Sequence, residues 1–206
     1  MDAFATREED EAMSENPNTP SGTENRAGEV QPPSAEALQR ARDLIVAVPN
    51  FPEDGVTFRD IVPLLADAEG FATVVRAMIA PFAGEFDYLA GLEARGFPLA
   101  GAAAMLSGRG MIPLRKAGKL PRPAATVNYG LEYGADQLEV PSGLRNGARV
   151  LIIDDVLATG GTLAAADELL RETGAKPVGA TVLLELDELA GREKAPDLRI
   201  ESLFNV

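Results

Sequence analysis

The sequence predicts an α/β domain, a mostly parallel sheet flanked by helices. Two observations carry that prediction. Residues 150–153, Val-Leu-Ile-Ile, are an apolar run too short for a free-standing helix and rich in β-branched side chains, the pattern of a strand buried on both faces. From residue 86 onward, segments of β type alternate with segments of helical spacing, as successive strand–helix–strand units require.

Taken in chain order, residues 1–33 stand apart: they are rich in Glu, Asn, Ser, Thr, Pro and Gly, with eight acids against two arginines. Such a segment buries too little apolar surface to offset the entropy of ordering it, so an acidic disordered tail is expected, with residues 34–206 as the folded domain. A helix should start near Ser34, whose hydroxyl suits an N-cap, and run through Leu38, Ala41, Leu44, Ile45 and Val48 until Pro49 stops it. A second helix is expected over residues 69–83, where Phe71, Val74, Val75, Met78, Ile79 and Phe82 form an apolar stripe for the core. A strand near residues 86–92, a helix over 97–107 and a strand near 111–114 follow. Residues 115–140 hold Gly118, Pro121, Pro123, Gly130 and Gly134 among aromatics and charges, which predicts a long hairpin or mobile loop. After the strand at 150–153 come a helix over 160–172 and strands near 177–186 and 198–204, with no internal repeat.

Bulk composition excludes several function classes. The chain has 206 residues, 46% hydrophobic and 25% charged, which suits a globular domain with a full core. A net charge of −13 argues against a nucleic-acid or anionic-membrane surface, both of which need clustered cations. No apolar run approaches the ~20 residues that span a bilayer, and the first residues have neither the basic start nor the apolar stretch of a signal peptide, so a cytoplasmic location is expected. The sequence contains no cysteine and no histidine. Thiolate nucleophiles, Ser-His-Asp triads and histidine metal sites are therefore impossible, and proton transfer falls to carboxylates, Tyr, Lys or substrate groups.

The chemistry is concentrated at residues 150–162, Val-Leu-Ile-Ile-Asp-Asp-Val-Leu-Ala-Thr-Gly-Gly-Thr. Asp154 and Asp155 sit at the carboxyl end of the predicted strand, where open α/β sheets bind ligands. The loop Ala158, Thr159, Gly160, Gly161, Thr162 then opens a helix, so its backbone N–H groups and two hydroxyls suit a phosphate. Paired carboxylates repel phosphate but accept hydrogen bonds from neutral hydroxyls, and a sugar phosphate satisfies both halves. No G-x-x-x-x-G-K-[ST] motif occurs, and Gly108-Arg-Gly110 leads into a strand instead of opening a helix.

Four further segments gather around that motif. Residues 48–61 pack two prolines, a glycine and two aromatics between helices, which by itself describes a rigid connector. Gly91-Leu-Glu-Ala-Arg-Gly-Phe97 is a second turn at a strand's carboxyl end, placing Arg95 and loop amides where another anion could sit. Arg115, Lys116 and Lys119 form a cationic cluster in an otherwise acidic chain, suited to a mobile anion clamp as well as to a solvated loop. In Tyr129-Gly-Leu-Glu-Tyr-Gly134, Glu132 stands beside Tyr133, either as hairpin packing or as a carboxylate placed for acid or base work.

The loop at 154–162 resembles the signature for 5-phospho-α-D-ribose 1-diphosphate (PRPP) of the type I phosphoribosyltransferases. Together with F-P-x-x-G-x-x-F-R-D-I, E-A-R-G-F, R-K-x-G-K-L-P, L-E-Y-G, Leu184-Glu-Leu-x-x-Leu and Gly191-Arg-Glu-Lys194, over about residues 38–194, the chain resembles the adenine phosphoribosyltransferases. The acidic tail lies outside that pattern and Pro98 departs from it locally.

The resemblance implies the type I phosphoribosyltransferase fold with a flexible β-hairpin loop. It also implies a purine-salvage glycosyltransferase that joins adenine to PRPP and releases AMP and pyrophosphate. By the same resemblance Ala158, Thr159, Gly160, Gly161 and Thr162 hold the 5′-phosphate, and Asp154 and Asp155 bind the ribose hydroxyls. Ala94 and Arg95 hold pyrophosphate beside a cis Glu93–Ala94 peptide, with Arg115, Lys116 and Lys119 as the clamp, contributed in the family by the neighbouring subunit of a homodimer. Glu132 exchanges a proton with adenine N7 and Tyr133 covers the site. The backbone of Thr57 and Arg59 reads adenine between Phe58 and Leu186. Mg²⁺ is expected to be held through pyrophosphate oxygens, ribose hydroxyls and water, with no direct protein ligand. A phosphoribosyltransferase for hypoxanthine, guanine or xanthine would share the PRPP motif but differ at residues 51–61 and 131–134. A PRPP-binding regulator of transcription would add a DNA-binding segment, where this chain adds only an acidic tail.

Overall fold

The computed structural model describes residues 32–129 and 136–206. Helix α1 spans Ala35–Asp43, and the Ser34 hydroxyl caps it by accepting from the Ala37 N–H at 3.2 Å. It is shorter than the sequence suggests. Instead of continuing to Val48, the chain leaves the helix at Leu44 and forms strand β1, Val46–Pro49, which pairs antiparallel with β2, Thr57–Asp60. Two local forces decide this: Val46 and Val48 are β-branched, and Pro49 forces the residue before it out of the helical region. The presumed connector is thus a hairpin. At its tip, Asn50 has φ 56° and accepts from the Gly55 N–H at 3.0 Å, the Phe51–Pro52 peptide is cis, and Phe51 meets Phe58 edge to face at 5.3 Å.

The second expected helix is α3, Ala68–Ile79, begun by the Asp67 carboxylate, which accepts from Gly70 N–H at 2.7 Å; a short helix that the sequence reading did not foresee, α2 over Val62–Ala66, precedes it. Pro81 then lies in a single 3₁₀ turn, Ala80–Phe82. The remaining elements follow the predicted alternation: β3 Tyr88–Leu92, α4 Gly96–Ser107, β4 Gly110–Lys116, β5 Pro123–Tyr129, β6 Asp136–Pro141, β7 Arg149–Leu157, α5 Gly161–Glu172, β8 Lys176–Glu185 and β9 Ile200–Asn205.

Seven strands form the main sheet in the order β5-β6-β4-β3-β7-β8-β9. The five from β4 to β9 are parallel, while β6 joins β4, and β5 joins β6, in antiparallel register. Alternation along β7 supplies both faces. Val150 and Ile152 belong to a core with Leu163, Ala166, Leu169 and Leu170 of α5, whereas Leu151 and Ile153 belong to a core with Val74, Val75 and Ile79 of α3 and Leu99 and Ala103 of α4. All four β7 side chains are essentially inaccessible, and each contributes roughly 1.5–3 kcal/mol of transfer free energy. Among the described residues no helix is long and apolar enough to cross a membrane.

This order fixes where a ligand can enter. From β3 the chain crosses through α4 to β4 on one side, and from β7 it crosses through α5 to β8 on the other. The neighbouring strands β3 and β7 therefore send their following turns in opposite directions, which opens a crevice at their carboxyl ends.

Candidate active site

The crevice is a cleft of about 420 Å³ lined by both turns: Glu93, Ala94 and Arg95 after β3, and Ala158, Thr159 and Gly160 after β7, with Asp154 and Asp155 between them. Strand β7 runs two residues past the carboxylates, to Leu157, so the acidic pair is set by sheet register, Asp154 opposite Val182, instead of by a loop. Asp155 is 4% exposed. Asp154 Oδ1 accepts from the Asp155 backbone N–H at 2.9 Å. Burial, and then the charge of Asp155, push the Asp154 carboxyl well above the usual carboxylate range. Burial also raises Asp155, opposed by the guanidinium of Arg95.

Arg95 joins several parts of the site. Its Nη2 lies 2.9 Å from Asp155 Oδ2, its Nη1 donates to the Arg59 carbonyl at 3.3 Å, and its guanidinium sits 4.8 Å from the centre of the Phe58 ring. The close approach depends on Gly96, because a Cβ there would lie 2.7 Å from the Ile153 carbonyl. The Asp155 contact is an ion pair without hydrogen-bond alignment, which leaves a buried oxygen with no hydrogen-bonding partner among the described residues.

The β3 turn contains the cis Glu93–Ala94 peptide expected from the resemblance. The Glu93 side chain is only 9% exposed and collects three donors: the Lys119 ammonium, the Lys116 N–H at 2.9 Å and the Arg115 guanidinium at 3.4 Å. Burial would raise its pKa, but the hydrogen bonds from Lys119, Lys116 and Arg115 outweigh burial and hold it at about 2, against an ordinary 4.5. Lys116 Nζ reaches Asp136 at 3.3 Å. All three cations of the expected clamp therefore rest on carboxylates of the same chain.

The β7 turn is built differently. Gly160 has φ 80° and precedes α5, whose first turn has no side-chain cap, so no capping side chain competes for its amides, as an anion site requires. Behind it lies the turn Gly191–Lys194, so close that a Cβ on Gly160 would meet the Gly191 carbonyl oxygen at 1.9 Å.

Most residues singled out from the sequence come together here. Ala94, Arg95, Lys116, Asp154, Asp155, Ala158, Thr159, Gly160 and Thr162 line the one cleft. Gly161 faces an adjoining hollow with Asn128, Tyr129, Thr159 and Lys194. Arg115 and Lys119 reach the cleft through Glu93, and Phe58 and Arg59 through Arg95, while Thr57 is exposed on β2. Leu186 follows β8 and donates its N–H to the Leu157 carbonyl at 2.9 Å, beside the loop. Glu132 and Tyr133 lie outside the described residues, but Tyr129 and Asp136 on either side of that segment line the cleft. Sequence reasoning missed Glu93 and Gly191. The signal for Glu93 was its place in E-A-R-G-F directly before the cis peptide, and that for Gly191 was a second glycine motif with no assigned role.

Comparison with known proteins agrees with this geometry. Residues 65–204 match the phosphoribosyl transferase domain family. The adenine phosphoribosyltransferase of Saccharopolyspora erythraea is 53% identical over 168 residues, 81% of this chain and 91% of the relative. That of Renibacterium salmoninarum is 52% identical over 172 residues, 83% of this chain and 93% of the relative. Among solved structures, the adenine phosphoribosyltransferase of Rhodothermus marinus superposes with a TM-score of 0.79 at 39% identity, covering 84% of this chain and 100% of that one. The Saccharomyces cerevisiae enzyme, complexed with D-2,5-dideoxy-2,5-imino-altritol 1,6-bisphosphate and adenine, gives 0.78 at 34% identity, covering 83% and 100%. With half its residues shared over nearly the full length of such relatives, the chain belongs to the phosphoribosyltransferase family and, within it, to the adenine phosphoribosyltransferases.

Proposed function

We infer that this chain forms AMP and pyrophosphate from adenine and PRPP, the pentosyl transfer of purine salvage. The observation that carries the reading is the acidic pair, half-buried Asp154 and buried Asp155, held between an uncharged amide loop and a cationic turn in one cleft. A 5′-phosphate on the amides and hydroxyls of residues 158–162 sets the ribose hydroxyls over the two carboxylates. Their negative charge then lies where positive charge develops on the ribosyl ring as pyrophosphate leaves, in a site whose burial strengthens the interaction. Ala94 and Arg95 face the departing pyrophosphate, and Arg115, Lys116 and Lys119 add charge by exchanging their carboxylate partners for it. A homodimer, in which this cationic segment of one copy reaches the partner's site, belongs to the same proposal. So does the division at residue 34, which Ser34 supports as the cap of the first helix.

The backbone of Thr57 and Arg59 selects the 6-amino purine by its donor and acceptor pattern, with Phe58 and Leu186 on its faces, since a mismatched base leaves buried groups without partners. Arg95 supports this by tying β2 to the cleft. Glu132 exchanges the proton at N7, and Tyr133 excludes water that would hydrolyse PRPP. Mg²⁺ would be held through pyrophosphate oxygens, ribose hydroxyls and water, where it would supply charge neutralisation.

The test is incubation with PRPP, Mg²⁺ and each purine base while pyrophosphate is followed. AMP should form from adenine; its absence, with product from another base or none, refutes the reading. Glu132→Gln should lower turnover by about 10²-fold or more with PRPP affinity within a few-fold, and an unchanged rate would remove the proton role.

A further inference from the structure

We propose that the turn Gly191–Lys194 is the rigid backing that sets the phosphate loop, with Arg192 as its positioning residue. This rests on the reading of residues 158–162 as the phosphate site. Contact between the two segments is backbone on backbone. A Cβ on Gly160 would fall 1.9 Å from the Gly191 oxygen, and a Cβ on Gly191 would fall 2.2 Å from the Ala158 oxygen and 2.8 Å from a Leu157 methyl. The Ala158 carbonyl is therefore directed at Gly191. In a trans peptide the following N–H points the opposite way, so the Thr159 amide faces away from the turn, toward the ligand side of the loop. The backing thus determines which way a phosphate-binding amide points.

The turn is itself fixed by one side chain. Arg192 donates from Nε and Nη2 to the two oxygens of Glu185 at 2.7 Å each, from Nη1 to the Ile200 carbonyl at 2.7 Å, and from Nη2 to the Ser202 hydroxyl at 3.2 Å. Glu185 is 6% exposed at the end of β8, and Ile200 and Ser202 lie on β9, so the fork anchors the turn to two sheet strands. Leu186 N–H, bonded to Leu157 carbonyl at 2.9 Å, closes the circuit from β8 to the end of β7. A glycine loop left to itself would have to be ordered by the phosphate at a cost in affinity; a loop seated against an anchored turn is ordered beforehand. Lysine cannot replace the arginine fork, because it offers a point charge and not a planar pair of donors. Arg192 touches neither reactant in this scheme, so its loss acts on PRPP and AMP affinity while the chemistry at the ribosyl carbon keeps its groups.

Steady-state constants for PRPP and adenine, AMP binding by calorimetry and thermal melts should be measured for Thr162→Val, Gly191→Ala, Arg192→Lys and Arg192→Ala. Gly191→Ala should raise the KM for PRPP by about tenfold or more, with the KM for adenine at saturating PRPP within about twofold. Arg192→Ala should follow it, with Arg192→Lys between Ala and the native residue. Thr162→Val should raise the PRPP constant by direct loss of a ligand; if it does not, the phosphate reading itself fails. If Thr162→Val does so while folded Gly191→Ala and Arg192→Ala keep a native PRPP KM, the backing role is refuted and the phosphate reading stands. Equal losses in PRPP affinity, adenine affinity and turnover with a lowered melt would also refute it, as a general structural effect. Should Gly191→Ala not fold, the Arg192 pair decides alone.

Discussion

The turn after β3 carries Glu93 and Arg95 and draws in Arg115, Lys116 and Lys119, whereas between Asp155 and Asp167 the segment around the β7 turn has no charged side chain. One wall of the cleft is made of ion pairs already satisfied within the chain, and the other of backbone packed on backbone. Charges on flexible stems can exchange one partner for another and are screened by salt; a glycine seated on a carbonyl cannot move without displacing the turn behind it. On the proposed reading, the contrast matches what each wall would hold, a pyrophosphate that must leave and a 5′-phosphate that stays attached to the product.

The glycine wall should be the more fragile to substitution. Gly160→Ala combines a positive φ with a 1.9 Å approach to Gly191, so PRPP and AMP affinity should fall by about 10²-fold or more, and retention within about threefold would show that the loop adapts like its neighbour. Next in size, Arg95→Ala should raise the pyrophosphate KM in the reverse reaction by about 10- to 30-fold and AMP affinity much less. Equal losses for both ligands would erase the division of labour.

The smallest effect is expected from Glu93→Gln, through pH and salt. Glu93 and Asp87 are both held at about 2, Asp87 mainly by a hydrogen bond from Arg149 at the far end of the sheet. A depressed carboxylate contributes stability that is present above its unfolded value, near 4.5 for Glu93 and 3.8 for Asp87, and is lost as pH falls toward about 2. Asp154 has the opposite sign: its raised pKa lowers stability above pH 3.8 and eases as the pH falls. Glu93→Gln should therefore lower the melting temperature at pH 7 by a few degrees, with the difference from the native chain shrinking below about pH 4 and under about 1 M salt, where the Debye length is only ~3 Å. A pH-independent difference would mean that packing of the side chain, and not its charge, matters.

Much of this was readable in the residues, and what was not has physical causes. The parallel sheet announced itself because a strand buried on both faces must be continuously apolar, as residues 150–153 are. The hairpin of β1 and β2 was hidden because Leu44, Ile45 and Val48 satisfy a helical spacing as well as an extended one, and only the pairing with residues 57–60 decides. The acidic pair and the glycine loop were legible as a site because their chemistry is local. Glu93 was not, since its partners lie 22 to 26 positions away and nothing in a turn's composition states which cations will fold back on it. Gly191 escaped for a similar reason: its requirement is a contact with another backbone, and glycine codes equally for a bend and for a near approach.

The sheet that separates the two cores has a consequence for how such an enzyme could be altered. The β3 turn leads into α4, which packs with α3 on one face, and the β7 turn leads into α5 on the other. On the proposed reading, substitutions that repack α4 can therefore retune recognition of the base while the sugar-phosphate anchor at the start of α5 keeps its footing. The molecule is divided into two evolvable modules, and libraries confined to one face should yield new acceptor specificities with the donor unchanged.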